Sequence, residues 1–178
     1  MRKWNALLAV AALVLILIHI VMGSFLLTGM GHTAVKALAR AAAALLIVHT
    51  VLGIKYTVDS LRVWRKTGAG YFRENRLFWA RRLSGFAFLV LFFFHFTAFG
   101  TTVDGVFQLK VFTGAKLACQ LLLVLSLAVH LFTNLRPLML SLGVQGKRSW
   151  LGSVLFVLSV VLLFAAAAFV IYYLRWNL

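Results

Sequence analysis

Leu83–Val103 reads LSGFAFLVLFFFHFTAFGTTV, a run without a formal charge, crowded with Phe and Leu and carrying a single histidine, His95. A helix of about 20 such residues crosses the roughly 30 Å of hydrocarbon in a bilayer. The apolar character is continuous instead of alternating, which excludes a transmembrane strand. Four further runs have the same character: Trp4–Val35, Ala41–Ile54, Leu117–Leu135 and Ser149–Leu174. The whole chain is 63% hydrophobic with a mean hydropathy of +1.02, a membrane composition and not a soluble one.

These runs predict a single all-α membrane domain, 1–178, with five transmembrane helices at about 5–28, 33–54, 79–100, 114–135 and 151–174. The second run is short between Arg40 and Lys55, so its helix is expected to start near Thr33 and let Lys36 and Arg40 snorkel to the headgroups. The first run follows Arg2 and Lys3 as a leader peptide would. Its length suits a span, and it carries His19, so it is read as helix one. Pro137 is expected to end helix four. Cys119, the single cysteine, is expected to pack inside the bundle. Short connections at Gly29–His32 and Thr101–Thr113 leave no room for a catalytic domain, and His32 and Asp104 are read as ordinary loop residues.

Eighteen Lys and Arg face only three acids, Asp59, Glu74 and Asp104, for a formal net charge of +15. Most of the bases fall on one side of the predicted spans: Arg2, Lys3, the stretch from Lys55 through Arg62, Arg65, Lys66, Arg73, Arg76 and Arg81 to Arg82, and Arg136, Lys147 and Arg148. The positive-inside rule makes that side cytoplasmic, with the N-terminus there and the C-terminus external. Anionic lipid and an acidic docking partner account for the charge, and nucleic acid is not expected as a partner.

The histidines turn a span count into a functional reading. His19, His49, His95 and His130 lie one each in the first four runs. At 1.5 Å per residue, His19 is about 21 Å and His95 about 20 Å from the cytoplasmic ends of their helices, while His49 and His130 are each about 9 Å from theirs. Two opposed histidines at each of two depths suit two bis-imidazole haems, with helices one to four forming the dihaem bundle. A neutral imidazole ligates iron without bringing a formal charge into hydrocarbon, and two axial nitrogens close the iron to oxygen chemistry. Electron transfer is the expected function. Zinc fits less well, because the pairs are separated along the bundle and imply no compact four-ligand site. Gly23, Gly53 and Gly85 suit either the close approach of a macrocycle or ordinary helix packing. Trp79, Arg82 and Arg136 are expected either to anchor the chain at the membrane interface or to contact a haem propionate there, an indole or guanidinium suiting both.

The segment Leu77–His95 resembles a helix of the dihaem cytochrome b anchor of succinate dehydrogenases and fumarate reductases. His19 followed by Gly23, His49 before Gly53–Tyr56, and His130 before Asn134–Arg136 resemble its other haem-bearing helices in the same order. The likeness covers about Leu7 to Tyr173 and rests on the order of spans and four ligand positions together. It implies two haem b groups, His19–His95 distal and His49–His130 proximal, and a quinone or menaquinone as membrane substrate. It also implies iron–sulfur and flavoprotein subunits on the cytoplasmic side of a prokaryotic cytoplasmic (inner) membrane, where the dicarboxylate chemistry would take place. A dihaem cytochrome b acting alone or with other partners is the alternative. Some members carry membrane acids tied to proton movement; here Ala128 stands at the place of one such acid and the spans hold no Asp or Glu, so no transmembrane proton route is assigned.

Overall fold

The computed structural model describes residues 2–30, 36–68, 76–103, 106–144 and 148–178. Thr33, His32, Gly70, Arg73, Asp104 and Lys147 lie outside the described residues. Among the described residues five helices follow one another: α1 (Arg2–Thr28), α2 (Lys36–Thr67), α3 (Arg76–Ala98), α4 (Gly114–Ser141) and α5 (Arg148–Asn177). Between α3 and α4, β1 (Gly100–Val103) and β2 (Val106–Leu109) pair antiparallel, with Gly100 opposite Leu109 and Val103 opposite Val106. All five helices are long and apolar enough to cross a membrane.

The helices form one bundle. α3 lies along α4, α1 packs on α2 and α5, and α5 closes against α4. Leu46, Phe88, Leu123, Leu127 and Leu162 make a buried cluster to which α2, α3, α4 and α5 contribute, and Ile16 and Ile20 of α1 pack against it. Large apolar side chains such as Phe86, Phe93 and Leu163 point outward. Lipid tails are as apolar as these side chains, so such a surface costs nothing in a bilayer. We call the end that holds the β ribbon the hairpin end, and the end where α2 and α4 finish the basic end.

Two helices run past their expected limits. α2 continues to Thr67, so Lys55–Lys66 is helical and not a loop, an extension of about 20 Å beyond the apolar run. Apolar length measures only the part of a helix that lies in lipid. No Gly or Pro interrupts Lys55–Lys66, Asp59 pairs with Arg62 at 3.7 Å, and Arg65 and Lys66 sit on the negative end of the helix dipole. α4 runs on to Ser141 with Pro137 inside it, so Pro137 does not end the helix. Gly143, at φ +79°, does: its N–H reaches the Leu140 carbonyl and that of Val144 the Met139 carbonyl, a Schellman closure. Gly29 closes α1 in the same way. α1, α3 and α5 begin about three residues early, at Arg2, Arg76 and Arg148. The ribbon begins at Gly100, one residue before the expected Thr101–Thr113 connection; Val103-Asp-Gly-Val106 is the sequence signal for such a hairpin.

Candidate histidine sites

α3 and α4 are locked in register by polar contacts at two levels. Toward the hairpin end, His95 Nδ1 meets Gln120 Oε1 at 2.7 Å. Toward the basic end, His130 Nδ1 meets the Arg81 carbonyl at 3.2 Å, and Arg81 Nε donates to the Thr133 carbonyl at 3.0 Å. Gln120 precedes His130 by ten residues of α4, which sets the levels about 15 Å apart along the helix. The apolar cluster containing Phe88, Leu123 and Leu127 fills the space between.

The Arg81 contact explains how α4 survives its proline. Pro137 has no N–H, which orphans the carbonyl four residues back, and that carbonyl is Thr133. Arg81 Nε supplies the missing donor from the neighbouring helix. The same residue therefore braces α4 with its side chain and orients His130 with its backbone. Gly85 completes this seat: an added Cβ would stand 3.0 Å from His130 Cε1, so a larger residue requires the ring to shift by a few tenths of an ångström. Gly85 lies against the His130 imidazole.

The first two helices bring the partner rings. His19 approaches His95 across the bundle with ring centroids 6.1 Å apart and planes at 81°. His49 lies one turn beyond Leu46, as His130 lies one turn beyond Leu127, and Leu46 and Leu127 share the central cluster; both His49 and His130 thus sit on its basic side. The Nδ1 atoms of His19 and His49 are buried and have no hydrogen-bond partner among the described residues. Four residues on, Gly23 and Gly53 fall on the same helix faces as these histidines, and an added Cβ at either would meet nothing within 4 Å.

The His19–His95 approach is of the kind two imidazoles would need to hold one haem iron. An Nδ1–H given to Gln120 or to the Arg81 carbonyl fixes the tautomer of His95 and His130, leaving Nε2 as the lone-pair nitrogen; such outer contacts are usual for metal-ligating imidazoles. Two imidazoles that share one ion through nitrogens about 2 Å from it have ring centroids roughly 6 Å apart, close to the His19–His95 spacing. The orphaned nitrogens of His19 and His49 and the open space beside Gly23 and Gly53 suit the same group. Among the described residues no three or more His, Cys, Asp or Glu gather, so the chain offers imidazole pairs and no multidentate cage.

The edge residues proposed for propionates have separate surroundings. Trp79 is exposed on the first turn of α3, the Arg82 guanidinium lies 5.1 Å above the Phe78 ring, and Arg136 is exposed beyond His130 on α4. All three are at the basic end. Cys119 is only partly buried and borders a cavity instead of packing in the core. Sequence reasoning missed Gln120, Arg81, Ser84 and Asn134, the last two of which approach His130 Nδ1 at 3.5 Å. Gln120 had a signal. It is the one amide well inside any span, and the depth arithmetic used for the histidines puts it near the level of His95. Compared with protein-family models, curated proteins and solved structures, the chain finds no match.

Proposed function

We propose that this multi-span membrane protein is a dihaem cytochrome b, in which His19 and His95 hold one haem b near the hairpin end and His49 and His130 hold another near the basic end. In its narrower form, the reading makes the chain the quinone-reactive anchor of a succinate dehydrogenase or fumarate reductase, carrying electrons between a membrane quinone pool and iron–sulfur and flavoprotein subunits. The observation that carries it is the His19–His95 approach at 6.1 Å, with His95 Nδ1 already committed to Gln120.

Held by His19 and His95, or by His49 and His130, a haem would supply a one-electron couple. The chain's residues do the rest. His95 and His130 are pre-aimed by their Nδ1 contacts, and the apolar cluster between the levels excludes water from the path. Trp79, Arg82 and Arg136 are assigned to propionates at the basic end, where a guanidinium makes charge-assisted contacts with carboxylate. Lys55, Arg62, Arg65 and Lys66 on the extended part of α2 offer an exposed basic face for a partner subunit on the cytoplasmic side.

Purification in mild detergent, with a haem spectrum, haem quantification per chain and subunit identification from one sample, tests the reading. Two haems with flavoprotein and iron–sulfur subunits are expected. A pure, folded, haem-free protein would overturn it, and two haems without those subunits would keep the cytochrome and remove the anchor. Orientation is separable: with Cys119 replaced by Ser, a cysteine at Lys66 should react with an impermeant maleimide from the cytoplasmic side alone.

A further inference from the structure

We propose that a groove on the outer face of the bundle, between α3 and α4 in its basic half, binds an anionic phospholipid, with one acyl chain along the groove and the phosphate held by Arg76 and Arg136. The site needs neither haem nor a partner subunit. Ala80, Ala87 and Leu91 of α3 and Leu122, Leu125 and Val129 of α4 line a space of about 490 Å³. Leu122 and Leu125 are exposed, so the groove opens toward lipid in a membrane. Ser84 and Ser126 complete the lining, and both hydroxyls are already spent: Ser84 Oγ donates to the Arg81 carbonyl at 3.3 Å and Ser126 Oγ to the Leu123 carbonyl at 2.9 Å. Such walls suit a hydrocarbon.

Length and charge define which lipid. From Ala80 to Leu91, α3 rises about 16 Å, half of the roughly 30 Å hydrocarbon core, so the groove spans one leaflet. Arg76 lies one turn before Ala80 and Arg136 two turns beyond Val129, and both continue the helix faces that line the groove. The contact of His130 Nδ1 with the Arg81 carbonyl fixes the register of the two helices. Five residues back from Arg81 and six on from His130, the two arginines stand about 8 and 9 Å past that contact, at one level. Both are exposed. Asp59, the one acidic side chain among the described residues, is paired with Arg62 on α2, so no described carboxylate answers them. A phosphate supplies the missing charge through the oxygens that guanidinium groups bind best. Six residues also turn a helix so that Arg136 stands on a face about 120° from that of His130. This site therefore takes Arg136 for the lipid and leaves Trp79 and Arg82 for a propionate.

A second copy of the chain is the rival occupant, and the same arginines count against it. Copies inserted the same way round share their levels, so a twofold pairing of this face would bring four guanidinium groups together. Like charges opposed across an interface disfavour it. An anionic headgroup meets those charges with the opposite sign, as in other basic pockets between membrane spans.

Native mass spectrometry of the full chain in mild detergent, titrated with phosphatidylglycerol or with phosphatidylcholine of the same acyl chains, tests the site. One phosphatidylglycerol per chain should be retained in preference to phosphatidylcholine. Arg76→Gln and Arg136→Gln should each weaken that binding about fivefold, the usual effect of one basic side chain beside an anionic lipid. Ala87→Leu fills the groove without changing charge; it should abolish the preferred binding and leave the thermal midpoint of the lipid-free protein unchanged. Should that variant fail to fold, the two arginine variants decide the matter. Arg65 stands about 15 Å along α2 from Lys55, beyond the roughly 8 Å reach of charge at physiological salt, so Arg65→Gln should change nothing. An equal loss in Arg65→Gln would reduce the effect to the general attraction of a basic surface and overturn the site. Equal retention of the two lipids would overturn it as well, as would a dimer that excludes phosphatidylglycerol. So would an Arg136→Gln protein that loses haem while its lipid binding is intact.

Discussion

Around His95 the bundle is aromatic, and around His130 it is polar. His95 lies 5.5 Å from the ring of Phe99 and 6.4 Å from that of Phe169. Phe99 stacks in turn on Phe112, which is fully buried and whose carbonyl accepts from Asn177. Among the described residues, the amide of Gln120 supplies the polar contact to the His95 ring. His130, by contrast, faces the Arg81 carbonyl, Ser84 and Asn134. The same residue type therefore meets aromatic rings at one level and a set of fixed dipoles at the other. Burial, dielectric and outer hydrogen bonds are the protein's means of tuning haem potentials, so the two levels should not be equivalent. The levels also differ in what holds them: a side-chain amide at one, the helix backbone and a glycine seat at the other.

Removing ligands is the largest way to break this comparison. His19→Ala or His95→Ala should lose the haem of the hairpin level and keep the other; His49→Ala or His130→Ala should do the reverse. Haem per chain should fall from two to one in each variant, with low-temperature spectra showing which component is lost. Equal haem content in all four variants and the parent would reject this ligand set.

Much of this arrangement was legible in the residues. The five apolar runs predicted five helices because lipid demands that every backbone group be satisfied within the segment. The depth arithmetic put His19 level with His95, and those rings do come together. The rest depends on contacts that periodicity does not carry. Nothing in the charge pattern distinguishes Arg81, which crosses to Thr133, from Arg82, which lies over Phe78. Pro137 reads as a helix end because its cost is local, while the donor that offsets it lies more than fifty residues away. Gly23, Gly53 and Gly85 look alike in sequence and differ only in what stands beside them.

A glycine series sharpens the contrast at an intermediate scale. Gly85→Ala should displace His130 in the protein with or without haem, lowering the thermal midpoint of both forms and depleting the basic-level haem. An added Cβ at Gly23 or Gly53 meets open space, so Gly23→Ala and Gly53→Ala should not lower the haem-free thermal midpoint but should reduce haem content. Haem content untouched by either alanine would remove the cradle proposed beside His19 and His49.

Arg81→Met separates the levels by stability. It leaves the Thr133 carbonyl without its donor and loosens the α3–α4 register beside His130. Hydrogen bonds from charged groups contribute about 1.5–3 kcal/mol, and that is the destabilisation expected in a reversible unfolding titration. Haem should be lost first from the basic level. Loss of the hairpin-level haem first would show that the register is set elsewhere along α3 and α4.

The smallest effect is the most specific, because it asks whether Arg81 and Pro137 act on one carbonyl. Pro137→Ala restores an N–H, which can close the helical bond to Thr133 from within α4. In that background the Arg81 side chain is redundant at this position, so Arg81→Met should cost less than it does in the parent. The double-mutant cycle should yield a coupling of about 1 kcal/mol, within the range found for residues that share a partner. Additive costs would mean that Arg81 stabilises the bundle by another route, such as packing of its alkyl chain. Coupling without any change at the hairpin level would confine the brace to the polar half of the molecule, where His130 depends on it and His95, held by Gln120, does not.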